Sequence, residues 1–175
     1  MEVESVTVET PIGILDLVIG PKGVQVLSFR DEWNGAARHG VRVLKRPTTP
    51  ASREIVAQVE AYFGGDRDAL DRIPVDPEGT EFQLRVWKTL RKVPRGGTVS
   101  YAELARRVGN PSAVGAVALC NARNPVALAI PCHRVIGTDG SLTGYGGGLD
   151  RKRWLLEHEG ALLPSGVRRP VGQRA

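Results

Sequence analysis

The eight residues Ile73-Pro74-Val75-Asp76-Pro77-Glu78-Gly79-Thr80 divide this 175-residue chain into two different folding problems. Two prolines and a glycine so close together stop any regular element. The charge changes sign at the same place. Residues 1–78 carry nine basic and thirteen acidic side chains, a net of −4, whereas residues 79–175 carry fifteen and six, a net of +9. The reading is a first domain over 1–78, a second over 79–162, and a basic tail over 163–175 that holds Arg168, Arg169 and Arg174. A basic half beside an acidic one points to a polyanionic partner, because Lys and Arg contacts to phosphate release counterions. A solvated basic surface is the other explanation that charge alone allows.

Upstream of the divide, Val6 and Val8 alternate with Ser5, Thr7 and Glu9, then Thr10-Pro11-Ile12-Gly13 turns the chain into Ile14–Ile19. A second turn at Gly20–Gly23 leads to Val24–Phe29, so the pattern predicts a three-stranded antiparallel meander. Residues 31–50 read as a loop or irregular edge strand. Ile55, Val56, Val59, Tyr62 and Phe63 have helical spacing, which predicts a helix over Ala51–Phe63 stopped by Gly64-Gly65.

Downstream, Phe82, Val86, Trp87, Leu90 and Val93 form one helical face that ends at Pro94-Arg95-Gly96-Gly97. Ser100 is placed to cap a short helix through Val108, with Glu103 at the capping-box position. Gly109-Asn110-Pro111 turns the chain, Ser112 caps a second helix through about Ala122, and Asn124-Pro125 ends it. Two short helices around a glycine turn have the layout of a helix-turn-helix, a layout that many non-binding hairpins share.

No stretch approaches ~18 consecutive apolar residues and the start, Met1-Glu2-Val3-Glu4, is acidic, so no membrane association is expected. The expected location is the cytoplasm, at the nucleoid if the cell is bacterial, and the expected state is a monomer. Two cysteines, Cys120 and Cys132, make a disulfide framework implausible. His39, His133 and His158 complete the soft ligands, no CxxC or HxxxH occurs, and neither a metal nor a cofactor is expected.

The chemistry gathers at Asn124-Pro125-Val126-Ala127-Leu128-Ala129-Ile130-Pro131-Cys132-His133-Arg134-Val135. Free cysteines are mostly small buried hydrophobes. Here the thiol is followed by a histidine and an arginine, and the glycine-rich run Gly144-Tyr145-Gly146-Gly147-Gly148 would let backbone approach a ligand closely. A thiol is only a few per cent thiolate at neutral pH, so a nucleophilic Cys132 needs a base, and His133 is the candidate.

Pro131-Cys132-His133-Arg134-Val135, with Asn124-Pro125 before it and Gly144–Gly148 and Trp154-Leu155-Leu156-Glu157-His158-Glu159-Gly160 after it, closely resembles the O6-alkylguanine-DNA alkyltransferases. The likeness is strong over about residues 79–160, including Phe82-Gln83 and Val86-Trp87-Lys88. It is looser upstream, through Thr10-Pro11-Ile12-Gly13 and Tyr62-Phe63-Gly64-Gly65. It implies an α+β fold: a small ribonuclease-H-like N-terminal domain with an antiparallel sheet, then a mainly helical C-terminal domain of winged-helix type. It implies DNA repair by a single, irreversible transfer of the alkyl group from O6-alkylguanine in double-stranded DNA to Cys132, with O4-alkylthymine left open as a second substrate.

The resemblance assigns roles residue by residue. His133 takes the thiol proton through a water and Glu159 orients its imidazole. Asn124 braces the turn between the recognition helix and the active-site strand. The carbonyls of Cys132 and Val135 accept from the guanine amino group, while Tyr145 and Tyr101 hydroxyls neutralise charge at O6 and N3. Gly146, in the glycine-rich loop, is among the substrate- or DNA-binding residues, and Lys152 supports the cysteine end of the pocket. Tyr101, Ala102, Asn110 and Thr138 meet phosphate or sugar, and the helix beginning at Ser112 enters the minor groove while the target base flips out. One departure stands out: most relatives have an arginine wedge where this chain has Gly115, which leaves Arg123 or Arg106 as substitutes. Two other readings remain at this point. One is a sensor that binds the lesion without transferring it, although sensors of that kind lack the cysteine. The other is a cysteine hydrolase, which turnover would reveal. Alkyl-group preference and the role of Cys120 are not legible.

Overall fold

The computed structural model describes residues 3–32 and 47–161. The tail over 163–175 and most of the 31–50 loop lie outside the described residues. The fold class is α+β, with strands concentrated at the start of the chain and helices after them. Contacts divide the chain into two compact units, Met1–Glu78 with Pro125–Ala129, and Gly79–Asn124 with Ile130–Ala175.

In the first unit, β1 (Glu4–Thr10), β2 (Gly13–Gly20) and β3 (Gly23–Phe29) form an antiparallel sheet in the order β1-β2-β3. Leu15, Leu17, Val18 and Ile19 are all buried, so β2, the central strand, is covered on both faces. α1 (Pro50–Phe63) packs against β1 and buries Ile55, Val56, Val59 and Tyr62. It starts one residue before the predicted helix because Thr49 and Ser52 form a reciprocal capping box and Pro50 sits in the first turn. Each fully buried aliphatic side chain here contributes ~1.5–3 kcal/mol. Residues 125–129 join this unit: Leu27 N–H donates to Pro125 O at 2.9 Å, and Leu27 O accepts in return from Ala127 N–H at 2.8 Å.

The second unit holds α2 (Glu81–Leu90), α3 (Tyr101–Val108) and α4 (Val114–Ala122), which pack on one another. Thr80 and Gln83 cap α2 reciprocally. α2 stops at Leu90, short of the predicted Val93. Lys92 N–H to Thr89 O and Val93 N–H to Leu90 O tighten the last turn, and Pro94 disfavours helix at Val93. The Trp87 indole N–H donates to Cys120 O at 2.8 Å and ties α2 to α4. A side chain on Gly79 would put its Cβ 2.6 Å from the Trp87 ring, so this ring requires glycine there.

Two expectations about the helical pair are corrected. Ser100 Oγ does accept from Glu103 N–H at 3.0 Å, but the Glu103 carboxylate turns outward to Arg106 and Arg107 instead of completing the box. Ser112 does not cap α4: its hydroxyl donates to Asn110 Oδ1 at 2.9 Å, and α4 begins at Val114 after Ala113, without a side-chain cap. Gly109, at φ 97°, takes the left-handed position that ends α3.

Candidate active site

The reactive segment leaves the first unit at Ala129 and enters the second at Ile130. No strand carries the thiol, contrary to expectation. Cys132 N–H donates to Ile130 O at 2.8 Å and Arg134 N–H to Pro131 O at 3.0 Å, so Cys132–Arg134 forms a 3-10 turn. With φ nearly fixed at Pro131, successive short-range bonds are the way this segment satisfies its backbone. The chain extends only at β5 (Val135–Ile136), which pairs in parallel with β4 (Val99–Ser100). That pairing sets α3 and its Tyr101 beside the segment carrying the thiol.

Asn124 Nδ2 donates to Ile130 O at 2.7 Å, joining the end of α4 to the start of the reactive turn. Cys132 is 8% exposed, while His133, Arg134 and Glu159 are buried. His133 Nε2 lies 2.9 Å from Glu159 Oε2. Arg134 donates from Nε and Nη2 to the two oxygens of Glu159 at 2.8 and 3.0 Å, and from Nη1 to Val93 O at 2.7 Å. In the sequence Arg134 is only a basic neighbour of the thiol; its pairing with Glu159 depends on α5 (Leu149–His158) ending there, a helix that the sequence pattern does not announce.

These contacts favour a neutral histidine. Burial lowers the pKa of His133, outweighing the attraction of Glu159, and Arg134 and Lys152 push in the same direction as burial. Burial alone would raise Glu159, but hydrogen bonds from His133 and Arg134 and the guanidinium charge hold it well below the usual carboxylate range. A neutral imidazole must donate Nε2–H to that carboxylate, so Nδ1 carries the lone pair. Nδ1 is buried and has no protein hydrogen-bond partner among the described residues.

Lys152, from α5, is also buried. Its ammonium donates to Val135 O at 2.5 Å, Thr143 O at 2.7 Å and Gly144 O at 3.4 Å, which fastens the Tyr145 loop to β5. Burial brings its pKa down to about 8, with the charge of Cys132 opposing the shift. At neutral pH Lys152 is therefore mainly cationic. The Tyr101 hydroxyl donates to Thr143 O at 3.5 Å on the same loop, and the Tyr145 ring stands edge-on to His133 with centroids 6.5 Å apart. Thus Cys132, His133, Glu159, Asn124, Val135, Lys152, Tyr101 and Tyr145 come together. Ala102, Asn110, Ser112, Gly115, Arg123, Thr138 and Gly146 are exposed instead. A Cβ built on Gly115 meets nothing within 4 Å. Arg106 is engaged by Glu103 at 2.6 and 2.8 Å. Cys120 is packed within α4, and burial raises its thiol pKa, away from reactivity. No helix among the described residues is long and apolar enough to cross a membrane.

A helical unit that holds a near-buried thiol next to a neutral histidine, itself locked by a carboxylate, defines a nucleophilic-cysteine protein. Residues 81–161 match the family model described as the 6-O-methylguanine DNA methyltransferase DNA-binding domain. The chain is 42% identical to a methylated-DNA–protein-cysteine methyltransferase of Methanosarcina acetivorans, over 87% of this chain and 96% of the relative. It resembles the crystal structure of the Mycobacterium tuberculosis O6-methylguanine methyltransferase with a TM-score of 0.75 at 39% identity, covering 97% of this chain and 96% of that one. A structure of Mycobacterium tuberculosis OGT in complex with DNA gives a TM-score of 0.73 at 41% identity, covering 90% and 92%. The chain belongs to the methylated-DNA–protein-cysteine methyltransferase family.

Proposed function

We propose that this protein repairs DNA by moving the alkyl group of O6-alkylguanine onto Cys132, once per molecule. The observation that carries the reading is the buried His133, whose Nε2 is held 2.9 Å from Glu159 while Nδ1 keeps its lone pair. Nδ1 takes the Cys132 proton through a bridging water. The thiolate attacks the alkyl carbon, an S–C bond forms as the C–O6 bond breaks, and the electron pair passes to the guanine ring. A proton returned to the base completes guanine, and the thioether stays because nothing hydrolyses it. Tyr145 and Tyr101 donate hydrogen bonds where negative charge grows on the base.

Duplex DNA is the partner. The basic unit supplies the electrostatic attraction, and α4 enters the minor groove with Tyr101, Ala102, Asn110, Ser112 and Thr138 near the backbone. Gly115 leaves the arginine wedge out. With Arg106 tied to Glu103, Arg123 at the C-terminal end of α4 is the remaining cation for that task. The non-transferring sensor is not favoured, since Cys132 is present and the relatives that match along nearly their whole length are named methyltransferases.

Incubation with a duplex carrying O6-methylguanine, followed by intact-protein and peptide mass spectrometry, is expected to show one methyl group on the Cys132 peptide and none in Cys132→Ala. Binding without any methyl gain would return the sensor reading, and many products per protein molecule would return the hydrolase.

A further inference from the structure

We propose that Asn121 is a base-reading residue of this site, and that its side-chain oxygen biases the protein toward O6-alkylguanine over O4-alkylthymine. The inference rests on the alkyl-transfer reading above. Asn121 lies on the last turn of α4 and is only 5% exposed, an unusual place for an amide. Its Nδ2 donates to Cys132 O at 3.5 Å, which anchors the side chain beside the backbone of the thiol residue. The contact is long, yet it favours this orientation of the amide, because turning it over would set two oxygens against each other. Oδ1 is therefore an acceptor next to the reacting segment. It is buried and no donor reaches it among the described residues.

A buried acceptor without a donor is costly, so such an atom in a binding site is best explained by a ligand that brings the donor. The two lesions differ in this respect. O6-alkylguanine has lost its N1 proton and offers one donor group, the amino group on C2. O4-alkylthymine has lost its N3 proton and offers none, since O2 and O4 only accept. The backbone carbonyls nearest the thiol already hold protein donors: Cys132 O takes the Asn121 amide and Val135 O takes Lys152. They keep a second lone pair each, whereas Asn121 Oδ1 has nothing. A polar group left unpaired by the wrong substrate discriminates more strongly than a difference in apolar size.

The test compares transfer rates to Cys132 from duplexes containing O6-methylguanine, O6-methylhypoxanthine, which is the same base without its amino group, and O4-methylthymine. Wild type is set against Asn121→Leu, which keeps the branching of the side chain and removes the acceptor. Wild type is expected to react about ten-fold faster with O6-methylguanine than with O6-methylhypoxanthine, as one unmet buried hydrogen bond implies. In Asn121→Leu that ratio is expected to shrink several-fold, with the preference over O4-methylthymine shrinking alongside it. An unchanged ratio in Asn121→Leu overturns the proposal. Should thermal unfolding show that the leucine variant does not fold, Asn121→Ala decides on the same ratio, which does not depend on the fraction of active protein. If wild type itself moves no methyl group from O6-methylguanine, the alkyl-transfer reading has failed, and that result is distinguishable from an unchanged ratio.

Discussion

Each unit of this protein contains a two-pronged pair between an arginine and a carboxylate, and the two pairs are nearly superimposable as chemistry. In the first unit, Arg30 donates from Nε and Nη2 to Asp16 at 3.1 and 2.7 Å. In the second, Arg134 donates from the same two nitrogens to Glu159 at 2.8 and 3.0 Å. Their surroundings differ: the Arg30 side chain is 51% exposed and the Arg134 side chain 2%. Water can replace Asp16 around Arg30, with Thr7 also accepting from it at 3.0 Å. Nothing can replace Glu159 around Arg134. Hydrogen-bond geometry thus says little about what a pair contributes, and burial decides the cost of breaking it. The half-exposed pair, with Asp16 buried and Arg30 facing water, ties the end of β3 to the central strand. The buried pair fixes a carboxylate, and through it a histidine.

The comparison breaks first at Arg134. Arg134→Leu leaves Glu159 buried with one partner fewer, and chemical denaturation is expected to show a loss of ~3–5 kcal/mol. A loss below 1 kcal/mol would mean that the buried pair behaves like a surface one. Acid separates the units next. His133 is neutral in the fold with a lowered pKa, so the unfolded chain takes up its proton first and stability declines as the pH drops below about 6.5. The stability that Glu159 contributes is complete above about pH 4.3, the unfolded value, and is lost as the pH falls toward its lower folded value. Thermal unfolding across this range should therefore show a two-stage decline, and His133→Gln should remove the upper stage. A flat profile down to pH 5 would contradict a neutral buried imidazole.

Gly115→Arg carries the comparison to a charge introduced in full contact with water. Replacing a helical glycine is expected to gain ~1 kcal/mol, raising Tm by ~2–4 °C, since the position is open and no partner has to be desolvated. Transfer from duplex substrate should also quicken, about ten-fold for each ~1.4 kcal/mol of base-flipping cost that the guanidinium offsets. Transfer from a free alkylguanine base should not change, and an unchanged duplex rate would show that no wedge is missing. The smallest effect belongs to Arg30→Ala, expected to cost ~1 kcal/mol in the same denaturation experiment, because Asp16, though buried, keeps the Thr7 hydroxyl as a donor at 3.0 Å and water takes the place of the exposed guanidinium. If it matched Arg134→Leu, exposure would not be what distinguishes the pairs.

How far each feature was legible follows from where its cause lies. The meander was readable because alternation and turn residues are local, and so was the Cys132–His133 adjacency, which is covalent. The Ser112 cap failed because Asn110, two residues away, competes for the hydroxyl, and the Glu103 box failed because two arginines one turn on outbid a backbone N–H. Strand geometry at Cys132 failed because the proline before it favours a tight turn. Arg134 and Asn121 were passed over for another reason. An arginine and an asparagine look like surface residues until α5 and α4 bury them, and burial is a property of the assembled unit. The one signal available for Asn121 was a polar residue one position after Cys120, on the side of α4 that also carries the buried Val117.

The stretch Pro125–Ala129 bears on how such a protein can be inherited. It belongs to the first unit, bonded to Leu27 with Val126 fully buried, yet it interrupts the second unit two residues before Cys132 begins its turn. Asn124 and Ile130 close the interruption on their own side at 2.7 Å. A gene fragment starting at Gly79 would encode every side chain that the proposed chemistry uses and still deliver an unsupported loop just ahead of the thiol. Moving the helical unit by itself would therefore part the stretch just ahead of the reactive cysteine from the strand that holds it. Five residues of the basic half thus fold with the half of opposite charge and pattern.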